Sequence, residues 1–168
     1  TVPSRADNGL FTKYRIIGHN DGLADNKIKS IVEDSLGTCW VGTTRGINRI
    51  FEGRVINYSK DTCIINKDIG FIAKDRQQNI WASSGGLYLY DSRTDSFNEI
   101  LYQGREIWAN SYSEIQDGMV CCSPEGIFLY TFAERKMRLL IPRKCDDIRY
   151  NGFCMSDNRL ALASSTSG

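Results

Sequence analysis

The sequence is short of the residues that catalytic and metal chemistry depend on. It holds one histidine, His19, in a polar stretch with no nucleotide-binding motif near it, so no Ser-His-Asp arrangement can be built. The six cysteines (Cys39, Cys63, Cys121, Cys122, Cys145, Cys154) form no CxxC pair and have no cluster of histidines beside them, which argues against a metal site. No stretch approaches the roughly 18–20 apolar residues that span a bilayer. No basic n-region with an apolar h-region opens the chain, so the expectation is a cytosolic protein or a mature or trimmed piece of an exported one. The net charge of +1 comes from scattered basic residues, which offers no field for nucleic acid. "WVGTTRG" lacks the Gly-Lys-Ser/Thr of a phosphate cradle. No cofactor is expected.

What is present is a core and a repeat. The chain is 41% hydrophobic, enough to bury an interior. Residues 33–50, "EDSLGTCWVGTTRGINRI", and 74–90, "KDRQQNIWASSGGLYLY", share one pattern: acid, turn, Trp, small pair, Gly, alternating apolar positions. Trp40 and Trp81 lie 41 residues apart, and weaker copies place Val120 and Leu162 in the Trp position 39 and 42 residues further on. Ile28, Ile69, Trp108 and Tyr150 recur upstream, as do Ile31, Ile72 and Phe153. Asp34 and Asp75 stand six residues before their tryptophans. Gly46, Gly86, Gly126 and Gly168 follow the small pair.

Each unit reads as four short strands. "IKSIVE" suggests an inner strand buried on most sides, and "DSLG" a turn in which Asp34 accepts backbone N–H groups and Gly37 takes φ > 0. "TCWVGTT", "INRIF" and "VINYS" follow, with "EGR" as a hairpin turn. Four antiparallel strands per unit of about 40 residues make a propeller blade. Helical arrays of this period need long 3.6-period stretches free of Gly, and none occurs.

The fold expected is all-β, an incomplete β-propeller over residues 1–168. Residues 10–14 would form the outer strand of a preceding blade, 28–59 and 69–100 two blades, 107–140 a degenerate one and 148–168 the start of a truncated one. A blade has two apolar faces, and stacking buries each against the next. Trp40 and Trp81 would wedge between blades, while Gly42, Thr43, Ser83 and Ser84 stay small where the next blade comes close. A propeller closes with at least four blades. The chain therefore reads as a fragment that pairs with the remaining blades of a parent ring, or self-associates through its exposed faces. Cys39, Cys121, Cys122 and Cys154 fall in apolar strand patterns and read as buried thiols. Cys63 and Cys145 lie in polar connections, and the redox compartment stays open.

Residues 20–58, "NDGLADNKIKSIVEDSLGTCWVGTTRGINRIFEGRVINY", resemble the two-component regulator propeller repeat. The matching residues are Gly22, Leu23, Asn26, Ile28, Ile31, Asp34, Gly37, Trp40, Val41, Gly42, Thr43, Gly46 and Ile47. The second unit keeps Asn66, Ile69, Ile72, Asp75, Trp81, Gly86 and Leu87. It departs at Gln78 and at Ser83-Ser84, and the later units keep little beyond spacing and Gly. The resemblance implies the periplasmic sensor region of a bacterial hybrid two-component system, whose kinase, receiver and DNA-binding domains lie elsewhere. Many such sensors recognise oligosaccharides released from glycans and switch on the matching utilisation genes.

Carboxylates such as Glu33, Asp34 and Asp75 recur at one repeat position, which marks a turn cap rather than a glycosidase pair. Ligand contacts on a propeller come from the end where inter-blade connections and the turns between second and third strands meet, here 18–27, 44–46, 60–68 and 84–86. Asn20, Asn26, Arg45, Asn66 and Lys67 are the candidate ligand-binding residues, with Asn26 and Asn66, at one repeat position, also suited to capping turns. An interaction scaffold without a ligand, or part of a propeller lyase or glycosidase, are the other readings.

Overall fold

The computed structural model describes residues 15–58, 63–109 and 111–143, and the backbone of 148–156 and 159–166. The proposed outer strand 10–14, Gly168 and the side chains of Tyr150, Phe153, Cys154 and Leu162 lie outside the described residues.

The repeat folds as antiparallel sheets in simple up-and-down order. The first holds β1 (Ile28–Glu33), β2 (Cys39–Thr43), β3 (Gly46–Phe51) and β4 (Arg54–Asn57). In the second, β5 (Phe71–Lys74), β6 (Ile80–Ser84), β7 (Gly86–Asp91) and β8 (Ser96–Tyr102) are joined by a fifth short strand, β9 (Arg105–Glu106). The third holds β10 (Ser111–Ile115), β11 (Gly118–Ser123), β12 (Gly126–Thr131) and β13 (Lys136–Pro142), and β14 (Ile148–Ser156) pairs with β15 (Arg159–Thr166). Inner strands neighbour one another around an axis: β1 packs beside β5 and β10 beside β14. Phe71 of β5 stacks on Tyr112 of β10 with ring centroids 3.6 Å apart. This is the blade arrangement of a β-propeller, and among the described residues the sheets do not close into a ring.

The repeated Asp and Trp form one device. Asp34 Oδ1 accepts the N–H groups of Leu36 and Thr38, both at 2.9 Å, which closes the β1–β2 turn. Its Oδ2 accepts the indole N–H of Trp40 at 3.0 Å. Asp75 does the same with Asn79 N–H and the Trp81 indole, each at 2.8 Å. A tryptophan driven into an apolar interface must satisfy its N–H, and a carboxylate six residues upstream does so while ordering the turn. Trp40 then packs among Ile69, Ile72, Ile80 and Phe97 of the second blade, and Trp81 among Met119, Phe128 and Tyr130 of the third.

Close approach explains the small pair. A Cβ on Gly42 would stand 2.8 Å from Ile69 Cγ2. Thr43, fully buried, turns its hydroxyl inward to Gly46 O at 2.9 Å. Ser30 ties the two blades by exchanging hydrogen bonds with Ile72 N and O at 2.9 and 3.2 Å.

The inner strand of the first blade departs from expectation. Instead of being buried on most sides, β1 leaves Ile28 40% and Ile31 61% exposed, whereas Ser30 and Val32 face the second blade. Strand alternation sends Ile31 to the face opposite β5, and among the described residues no sheet covers it. Cys121 and Cys122 are buried and Cys39 half-buried; burial pushes the Cys121 thiol up to about 12.

Candidate functional site

The five candidate residues all sit at the end of the blades where the inter-blade loops lie, but the structure gathers only one of them into a cluster. Asn20 is exposed in a 3-10 turn, His19–Asp21. Asn26 is engaged locally, its Oδ1 accepting His19 N–H at 2.6 Å. Arg45 is exposed, and its N–H bonds Thr43 Oγ1 at 3.1 Å. Its guanidinium acts on Asp25, whose carboxyl is held below the usual range chiefly by the Lys27 N–H. Asn66 takes φ 53°, a left-handed turn conformation that asparagine tolerates well.

Lys67 is different. Strand register places Tyr88 of β7 directly opposite Glu99 of β8, and Leu101 of β8 opposite Glu106 of β9. Because Glu99 and Leu101 share a sheet face, Tyr88, Glu99 and Glu106 converge on one side. The loop leading to the second blade lays Lys67 over them. Its Nζ lies 3.1 Å from Glu106 Oε1 and 3.9 Å from Glu99 Oε1, bonds the Tyr88 hydroxyl, and stands 4.7 Å from the Tyr88 ring centroid. The Tyr88 hydroxyl donates towards Glu99 and Glu106, at 3.1 and 3.2 Å. Burial, then the neighbouring Glu99, pushes the Tyr88 phenol far up, so it stays a donor. The hydrogen bond with Glu106, then burial, holds the Glu99 carboxyl above its ordinary value. The same bond, with Lys67, holds Glu106 below it.

The cluster borders the β6–β7 turn. A Cβ on Gly86 would meet the Tyr88 hydroxyl at 3.1 Å and Glu106 Oε1 at 3.5 Å. On the neighbouring Gly85 (φ 81°) lies the Trp108 indole, 3.4 Å from where a Cβ would stand; Ala109 N–H donates to Gly85 O at 3.0 Å. Trp108 is 66% exposed, unlike Trp40 and Trp81. An exposed flat apolar ring, two partly exposed carboxyl groups and an ammonium therefore border one turn. This set can stack on one face of a ligand and exchange hydrogen bonds with hydroxyl groups at its rim. Among the described residues no group of three His, Cys, Asp or Glu could hold a metal ion.

Sequence reading missed Tyr88, Glu99, Glu106 and Trp108. The available signal was Trp108 itself: its repeat position holds isoleucine in the first two units.

The exposed Trp108 indole thus stands beside a largely buried Lys67–Tyr88–Glu99–Glu106 cluster on a β-propeller fold. Residues 22–45, from Gly22 through β2 into the β2–β3 turn, match the two component regulator propeller family. Its fold is similar to the extracellular domain of the one component system BT4673 of B. thetaiotaomicron, with TM-score 0.70 and 16% identity over 91% of this chain and 22% of that one. The extracellular domain of the hybrid two component system BT3049 of the same organism gives TM-score 0.69 and 20% identity over 88% and 23%. Virginiamycin B lyase from Staphylococcus aureus gives 0.60 and 13% over 81% and 48%. The chain spans less than a quarter of the two extracellular domains. No curated protein matches it, and no helix among the described residues is long and apolar enough to cross a membrane.

Proposed function

We propose that this chain is part of an extracytoplasmic, periplasmic sensor propeller of a hybrid two-component signalling protein. Its ligand in this reading is a glycan-derived oligosaccharide, and its output is transcription of utilisation genes. The observation that carries the reading is the exposed Trp108 indole beside the Lys67–Tyr88–Glu99–Glu106 cluster. The C–H face of a pyranose stacks on such a ring, and its hydroxyls find both donors and acceptors within the cluster. The family repeat at residues 22–45 and the likeness to extracellular domains of two-component systems support the sensory context. The fragment senses and does not phosphorylate.

Calorimetric titration of the complete extracytoplasmic region with a panel of oligosaccharides, this chain run beside it, tests the proposal. Saturable binding to one glycan class, abolished by Trp108→Ala in a folded protein, is the expected result. Absence of binding to every glycan by the folded region would reject it.

A second reading, an interaction scaffold, is favoured by the exposed Ile28 and Ile31 on β1. Another blade, from the parent ring or a second copy, would cover them as the first blade covers Ile69 and Ile72. Sedimentation of this chain tests it: a concentration-dependent dimer that Ile31→Lys dissolves supports the scaffold, and a monomer at all concentrations opposes it.

A further inference from the structure

The turn beside Trp108 carries more negative than positive charge. Glu99 and Glu106 bring two carboxyl groups to it, and among the described residues Lys67 is the one cation paired with either. The basic side chains of neighbouring segments are engaged elsewhere: Arg105 pairs with Glu125 at 2.8 Å, and Lys29 with Asp68 at 3.3 Å. Lys67 serves its two acids unequally. Its Nζ is within hydrogen-bond distance of Glu106 at 3.1 Å, whereas 3.9 Å from Glu99 is an ion pair without a hydrogen bond. The Tyr88 hydroxyl stands 3.1 and 3.2 Å from the two acids and has one proton to give, so it satisfies one at a time. Glu99 is the acid left short of a partner. The contact with Glu106, then burial, raises its carboxyl above the ordinary value, as a second like charge on one site does.

The deficit is peculiar to this blade, and it is reachable. Tyr88 and Glu99 face each other across β7 and β8, where the first blade has Asn48 and Asn57 and the third has Phe128 and Leu139. The side chains of Glu99 and Glu106 keep 27% and 39% of their surface exposed. Gly86 puts no side chain over them, since a Cβ there would stand 3.5 Å from each Oε1. The Trp108 ring lies on Gly85, the next residue of the same turn. A ligand stacked on that ring meets, one residue along, an acid pair with one unmatched negative charge.

We propose that the oligosaccharide bound at this turn is an amino sugar with a free, unacetylated amine. Its ring stacks on Trp108, and its ammonium group pairs with Glu99 as the second cation for the two carboxyl groups. This assignment rests on the glycan-sensor reading above and names the class of sugar within it.

Three β-1,4-linked tetrasaccharides isolate the amine: that of glucosamine, that of N-acetylglucosamine and that of glucose. In calorimetric titration of the full chain near about pH 6.5, the glucosamine tetrasaccharide is expected to bind at least about tenfold tighter than either of the others. Glu99→Gln keeps the size of the side chain and leaves Lys67 on Glu106, and it is expected to cut that preference to about twofold or less. Lowering the pH towards about 4.5 in the parent protein is expected to shrink the preference as well, because a proton on Glu99 removes the charge that selects the amine. That series needs no variant and decides the matter if Glu99→Gln loses its fold by circular dichroism. Equal binding of the glucose tetrasaccharide overturns the amino-sugar assignment and leaves the glycan reading standing. A preference unaltered in folded Glu99→Gln, or constant across the pH series, overturns it too. So does saturation by none of the three, and the wider oligosaccharide panel then decides the glycan reading separately.

Discussion

The first two blades carry isoleucine at two matching repeat positions of the inner-strand region and bury it differently. Ile28 and Ile31 are 40% and 61% exposed, and their counterparts Ile69 and Ile72 are 0% and 5% exposed. Local structure does not distinguish the copies, since both pairs belong to an inner strand or its approach and both units keep the Asp–Trp hydrogen bond. The difference is the neighbour: Gly42 and Val32 of the first blade cover the second, and no described sheet covers the Ile31 face of β1. A repeat sequence sets what a face is, and stacking sets whether that face is core.

The largest effect should come from the wedge. Trp81→Ala removes a fully buried indole between the second and third blades and is expected to cost about 3–5 kcal/mol in urea unfolding. A loss under about 1 kcal/mol would mean that the blades do not depend on one another. Next comes the paired test of the comparison itself. Ile72→Ala should cost about 2–4 kcal/mol, and Ile31→Ala under about 1 kcal/mol in the monomer. Equal costs would show that something covers β1 in solution.

Asp34→Asn probes the turn-and-indole device. The amide can satisfy either the backbone N–H groups or the Trp40 indole but presents a donor to the other, for about 1–2 kcal/mol. Burial acts to raise the Asp34 carboxyl, but the bonds from Trp40, Thr38 and Leu36 outweigh it and hold the group below its ordinary value. A lowered folded pKa contributes stability above the unfolded value, near pH 4, and loses it as pH falls through the folded value. Unfolding free energies from pH 6 to 2 should therefore fall less steeply in Asp34→Asn than in the parent. The smallest effect contrasts the turns themselves. Gly37 takes φ 76°, and Gln78 takes φ 68° at the same repeat position. Gln78→Gly should relieve that strain and gain up to about 1 kcal/mol, visible as a higher Tm.

The blade architecture was legible because its signals are local and repeated. The Asp34 turn, the Gly46 and Gly86 strand starts and the alternating apolar positions each need only a few neighbouring residues to read. The bond from Asp34 to Trp40 was half legible: the six-residue spacing was visible, but its purpose required the turn to bring the indole back onto the carboxylate. The candidate site was legible at one residue. Lys67 stands in a loop of the right end, yet its partners come from three strands up to 39 residues away, including β9, which no pattern announced.

The sequence alone determined the period, the strands within it and the identity of the wedges, because hydrophobic alternation and turn chemistry act over a few residues. Only the tertiary structure decided which copy of a face is buried. It also brought Lys67, Tyr88, Glu99 and Glu106 together. Those outcomes depend on strand register and on which blade stands next to which, and such long-range geometry leaves no mark in the local pattern.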